Sequence, residues 1–178
     1  YEPEARIFLM RKTASSPPTT GTTSATDPTK TVAADGTIQK EFRWYYKGEE
    51  HSVSLDIPQS VYNHYRQKEH AIEPGKSYET YVNAVLDTND DILIKTLADK
   101  IKIVADQKGY TGDDKLYFLS SFVPGVFYYD TEKRNQVVAT CKPYIRYPIE
   151  MLVDGVGICT DAAILGVHML YSAGYEDI

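Results

Sequence analysis

The chain has 178 residues, of which 42% are apolar and 25% charged, the composition of one folded domain with room for a tail but not for two full domains. Nineteen Lys and Arg stand against 25 Asp and Glu, a net charge of −6 with no basic block, so a nucleic acid is excluded as an evident partner. No apolar run reaches the ~20 residues of a membrane span, and two cysteines cannot make a disulfide framework. With Tyr1 at its head and no signal-peptide pattern, the sequence reads as an excised or processed piece.

The first predicted element is a tail. Residues 13–37 are dominated by Thr, Ser, Pro, Ala and Gly, as in Ser15-Ser16-Pro17-Pro18-Thr19-Thr20. Such residues offer little apolar area against the ~1–2 kcal/mol per residue that backbone ordering costs. Residues 1–37 are therefore expected to form a flexible tail or linker, and residues 38–178 the domain. Four acids and four bases cancel within the tail, which leaves the negative charge to the domain. The same composition suits a glycosylated stalk that holds a domain off a cell surface. A domain of this size buries enough surface to stand without a metal or disulfide staple.

Residues 42–46 and 52–57 flank the polar Lys47-Gly48-Glu49-Glu50, and Val53, Leu55 and Ile57 alternate onto one face, the signal of a β-hairpin. Pro58 fits the first turn of a helix carrying Val61, Tyr62 and Tyr65; a second short helix holds Tyr78, Tyr81, Val82 and Val85. The clearest helical period, Leu93, Leu97, Ile101 and Val104, predicts a helix over residues 90–108, capped by Asn89 and Asp90 and ended by Gly109. Thr111 reads as the N-cap of the next helix, which carries Asp113, Asp114, Leu116, Leu119 and Phe122 and stops at Pro124. Residues 125–156 look mostly irregular, and so long a connection is expected to be functional or disordered. The last helix spans residues 159–172. Its Ala162, Ala163, Ile164, Leu165, Val167, Met169 and Leu170 leave no polar face, so it is expected to be buried all round.

Cys159 follows Gly155-Val156-Gly157-Ile158, where a loop becomes that last helix. Unpaired N–H groups at a helix N-terminus favour a thiolate and can receive the oxyanion of an acyl intermediate formed on the sulfur. Gly155 and Gly157 would let a substrate backbone approach. Taken alone, the same pattern also suits a small buried apolar residue.

Residues 147–165, YPIEMLVDGVGICTDAAIL, closing at Ala173-Gly174-Tyr175, resemble the nucleophile segment of transglutaminase-like cysteine proteins. The common form there is Y-P-[IV]-E-T-L, then G-G-D-C-E-D, an apolar helix and G-Y-D. The resemblance is nearest to the exported archaeal branch. It extends upstream over Trp44-Tyr45-Tyr46, Ile57-Pro58, Tyr62, Tyr65, Tyr81-Val82, Phe122-Val123, Tyr128 and Asp130, covering roughly residues 40–178. It implies an α+β, papain-like fold whose helical lobe carries the cysteine on its central helix, with histidine and acid partners on following strands. Those partners are expected beyond Ile178, so the C-terminal sheet reads as truncated. It also implies thiol-dependent amide hydrolysis or acyl transfer on a protein or peptide, through a thioester, with Cys159 as nucleophile. Asp161 matches the motif's second acid and reads as structural, in the first turn of the helix. An extracellular or cell-envelope location follows from the same branch, with the parent chain free to be membrane-anchored.

Three positions depart from the family form: Ile158 before the cysteine, Thr160 after it, and Pro124 where relatives carry Gln. These favour a rival reading, a catalytically inactive domain serving as a cell-surface binding or scaffolding module. Nine residues separate His168 from Cys159, which puts it on the opposite side of the helix about 13.5 Å along. His51, His64 and His70 lie near the hairpin and first helix; the four histidines match no zinc spacing, and no cofactor or metal is expected. A Cys141–Cys159 disulfide would abolish nucleophilicity.

Overall fold

The computed structural model describes residues 30–33, 36–73, 75–88 and 90–175; the expected tail over residues 1–29 and the Asn89 cap lie outside them. Strands β2 (Thr37–Tyr46) and β3 (Glu49–Pro58) form the expected hairpin, each longer than its sequence signal. Lys47 and Gly48 make its two-residue turn with φ of 49° and 81°, the doubly left-handed geometry that matches the twist of paired strands. Lys30–Val32, within the Ser/Thr-rich stretch, forms β1 and pairs antiparallel with β2, giving the order β1-β2-β3. Ile38, Phe42 and Trp44 of β2 and Val53, Leu55 and Ile57 of β3 share the buried face.

Among the described residues seven helices follow: α1 (Gln59–Gln67), α2 (Ser77–Val85), α3 (Asp91–Gln107), α4 (Gly112–Val126), α5 (Thr131–Thr140), α6 (Pro148–Asp154) and α7 (Cys159–Ser172). Two two-residue strands, β4 (Tyr128–Tyr129) and β5 (Val156–Gly157), pair in parallel. α3 packs on β3 and α4 on β2, and both pack on α7 from the other side. They form a middle layer between the sheet and the cysteine-bearing helix. The fold is mixed α and β, mostly helical, consistent with the α+β expectation.

Four expectations need correction. The buried face of α3 is Ile94, Leu97, Ala98, Ile101 and Ala105, with Leu93 and Val104 only half-buried, because α3 is covered on two sides and not one. Pro124 does not stop α4, which continues to Val126. Its flanking Val123 and Phe127 are buried, and Gly125 lies so close to Trp44 that an added Cβ would fall 2.7 Å from the Trp44 Cβ. That packing holds the last turn helical against the usual preference of a pre-proline residue. The stretch 125–156 is not irregular: it carries α5, α6 and both short strands. α5 escaped notice because its only buried residue is Lys133. Finally, α7 buries Asp161, Ile164, Leu165, His168 and Met169, while Ala163, Val167 and Tyr171 are exposed. The helix is central to the packing but open along one face.

Candidate active site

Cys159 is the first residue of α7 and its side chain is exposed. The N–H groups of the first turn have no partner within the helix by geometry, since the first intrahelical bond runs from Ala162 N to Ile158 O at 3.0 Å. Cys159 lines a groove of about 540 Å³ between α4 and α7, walled by Leu119, Val123, Pro124, Tyr129, Ala162 and Leu170. A second hollow of about 390 Å³ opens on the other side of the helix, lined by Tyr78, Tyr81, Val85, Thr160 and Val167. The exposed edge of α7 is thus a ridge between two apolar hollows, with the thiol at its head. Tyr81 has its pKa raised, first by burial and then by the charges of Asp161 and Cys159.

The loop before Cys159 is held by a buried polar clamp. Asp161, fully buried, accepts from Ile158 N at 2.9 Å and from Arg146 N at 2.8 Å. The Lys133 ammonium donates to both of its oxygens at 2.7 Å and stacks over the Tyr144 ring. Burial holds the Lys133 pKa below its ordinary value, while the Asp161 charge pulls it partly back. Arg146 then ties three segments together: its guanidinium pairs with Asp130 at 3.0 Å and Asp154 at 3.7 Å and donates to Val156 O at 2.6 Å. Asp130 caps α5 by accepting from Lys133 N at 2.8 Å, and Asp130 N donates to Gly157 O at 2.9 Å. Tyr62 donates to Asp154 at 2.7 Å, and burial together with that carboxylate pushes its pKa up to about 12.

Asp161 is structural, as its sequence position suggested, but as the anchor of a network and not only as a charge near a helix end. Lys133 and Arg146 were missed; nothing in the local pattern of a polar helix or of Tyr144-Ile145-Arg146 signals a buried cation. The glycines also act differently from expectation. Gly157 is pressed between Met151 and Asp161, whose atoms stand 3.1 and 3.2 Å from where a Cβ would lie, and Gly155 supplies the left-handed C-cap of α6 at φ 73°.

Residues 94–178 match the family model of the transglutaminase-like domain. The matched span begins inside α3 and runs through α4 to α7, leaving the hairpin, α1 and α2 outside it. No curated protein and no solved structure matches the chain. No described helix is long and apolar enough to cross a membrane.

The Tyr147-Pro148-Ile149-Glu150 segment, within the matched residues, forms the start of α6. Glu150, 1% exposed, accepts from Tyr147 N at 3.0 Å and meets His70 Nε2 at 2.8 Å and Arg66 at 3.5 Å. The hydrogen bond to Glu150 raises the pKa of His70. His51 packs between Trp44 and Phe118, His64 lies against Tyr65, His70 meets Glu150, and His168 is buried against Asp91. Cys141 is exposed at the end of α5, and both thiols are free.

Proposed function

We propose that the domain is a transglutaminase-like cysteine enzyme with Cys159 as its nucleophile, acting on an amide of a protein or peptide. The observation that carries this reading is an exposed thiol at the first position of α7, beside first-turn amides with no partner within the helix and in the wall of an apolar groove. In the proposed reaction the thiolate attacks the amide carbonyl carbon, and the oxyanion is received by the first-turn N–H groups. The C–N bond then breaks, the amine leaves with a proton, and a thioester remains. Water or a second amine attacks that thioester and regenerates the thiolate. The groove between α4 and α7 holds an apolar portion of the substrate next to the scissile bond. The proton steps are assigned to a histidine outside residues 1–178, as the resemblance implies, and the domain to the cell exterior.

A second reading, a binding or scaffolding module of the same fold, is favoured by the engagement of all four histidines elsewhere and by Ile158 and Thr160 beside the thiol. Alkylation followed by mass spectrometry separates the two. Both cysteines are exposed, so Cys141 controls for access. The enzyme reading expects Cys159 to label about tenfold faster than Cys141 at pH 6–7. Equal rates, or labelling of Cys159 only near pH 8.5 and above, would favour the binding module.

A further inference from the structure

Asp90 is the N-cap residue of α3, where an aspartate ordinarily accepts from the free amides of the helix's first turn. Its side chain makes no such bond. It turns inward, is 0% exposed, and neither carboxylate oxygen finds a hydrogen-bond partner. Facing it is His168 of α7, 1% exposed, whose Nδ1 stands 4.0 Å from Asp90 Oδ1 and is likewise without a partner. His168 Nε2 lies 3.2 Å from Asp91 Oδ1. One ligand atom from each of Asp90, Asp91 and His168 falls within 4.8 Å of the other two.

We propose that Asp90, Asp91 and His168 form a binding site for a divalent transition-metal ion of the zinc type, fastening the start of α3 to the middle of α7. Three considerations lead there. Unpaired polar atoms are expensive in an interior, and two such groups facing each other call for a shared partner. An imidazole nitrogen with two carboxylate oxygens is a zinc-type donor set, whereas magnesium and calcium take oxygen ligands in larger number. The charge around the site also asks for a cation. Asp87, Asp90 and Asp91 gather there, and Lys68 pairs with Asp87.

Two ligands on one tetrahedral ion sit roughly 3.4 Å apart at zinc bond lengths. The Asp91–His168 spacing already fits, and Asp90 closes on the ion by side-chain rotation. With Nε2 of His168 on the metal beside Asp91, its Nδ1–H is left for the Asp90 carboxylate that faces it. Asp91 is exposed, with a side-chain accessibility of 53%, and gives the ion its entry path and room for water ligands.

The test uses the whole chain with Cys141→Ser and Cys159→Ser, so that thiolates contribute nothing, after removal of metals with a chelator. Cobalt(II) is then titrated while visible absorption is read, followed by displacement with zinc(II). The expected result is one cobalt per chain, with the absorption bands of a four- or five-coordinate ion, lost on adding one equivalent of zinc. Asp91→Asn, on the exposed side, is expected to weaken binding 10–100-fold, and His168→Gln to abolish the bands. No saturable binding, or binding that both variants leave unchanged, would overturn the proposal; should His168→Gln fail to fold, Asp91→Asn decides alone. Because both cysteines are absent from the protein used, the outcome stands apart from the fate of the enzyme reading.

Discussion

Replacing Lys133 with Met removes the one ammonium that Asp161 contacts and changes little else in volume. Both partners are buried, at 1% and 0% side-chain exposure, so water does not substitute for the lost cation. Asp161 keeps two amide donors, Ile158 N and Arg146 N, but retains a buried negative charge. Breaking a buried pair from one side costs about 3–5 kcal/mol, far more than an exposed pair is worth. At about 3 °C per kcal/mol for a domain of this size, the melting temperature is expected to fall by about 10–15 °C. Urea unfolding at pH 7, followed by the fluorescence of the single tryptophan, Trp44, which is 1% exposed, gives the free energy directly. Adding Asp161→Asn in the same chain removes the stranded charge. The double variant is therefore expected to cost at least about 2 kcal/mol less than the sum of the two singles. A cost below about 1 kcal/mol for Lys133→Met, or simple additivity, would refute the argument that the pair is isolated from solvent.

Three further outcomes are expected. Gly125→Ala places a methyl 2.7 Å from the Trp44 Cβ, a contact that neither backbone can yield easily, and should cost about 1–3 kcal/mol in urea unfolding. Cys141→Gly relieves a left-handed residue at φ 53° and should stabilise the domain by about 1 kcal/mol, leaving the labelling rate of Cys159 unchanged. His70 has a raised folded-state pKa, so its bond to Glu150 contributes stability that is full below the unfolded value near 6.5 and is lost as pH rises through the folded value. Urea midpoints measured from pH 5 to 9 should fall more for the native chain than for His70→Gln, and parallel curves would count against the assignment.

The parts of the fold that the sequence made legible are those where burial is one-sided. The alternation of Val53, Leu55 and Ile57 and the span of α7 between Cys159 and Ser172 both follow from a single apolar face or run. Where burial is two-sided or polar, the pattern misleads. α3 touches both β3 and α7, which rotates its core face onto Ile94 and Ala98. α5 has no apolar stripe at all, and the residue that fixes it is a lysine. Pro124 is overruled by tertiary contact with the hairpin, a term that no local rule contains. At the site, the position of Cys159 at a helix head was readable from Gly155-Val156-Gly157-Ile158. The clamp behind it was not, because its members Asp130, Lys133, Arg146, Asp154 and Asp161 are scattered over the chain and acquire meaning only once β4 meets β5.

That meeting has a kinetic side. The parallel pairing of Tyr128 with Val156 closes a loop containing all of α5 and α6, and the five charged side chains of the clamp must lose water together as it closes. Neither half of the clamp is favourable alone, so the segment should open and close as one cooperative unit in native-state hydrogen exchange. The amides of Arg146 and Ile158, both bonded to Asp161, would then exchange with the same free energy although eleven residues lie between them. A thiol mounted on such a unit is presented in one geometry or in none, and a nascent or partly opened chain would carry it as an ordinary cysteine.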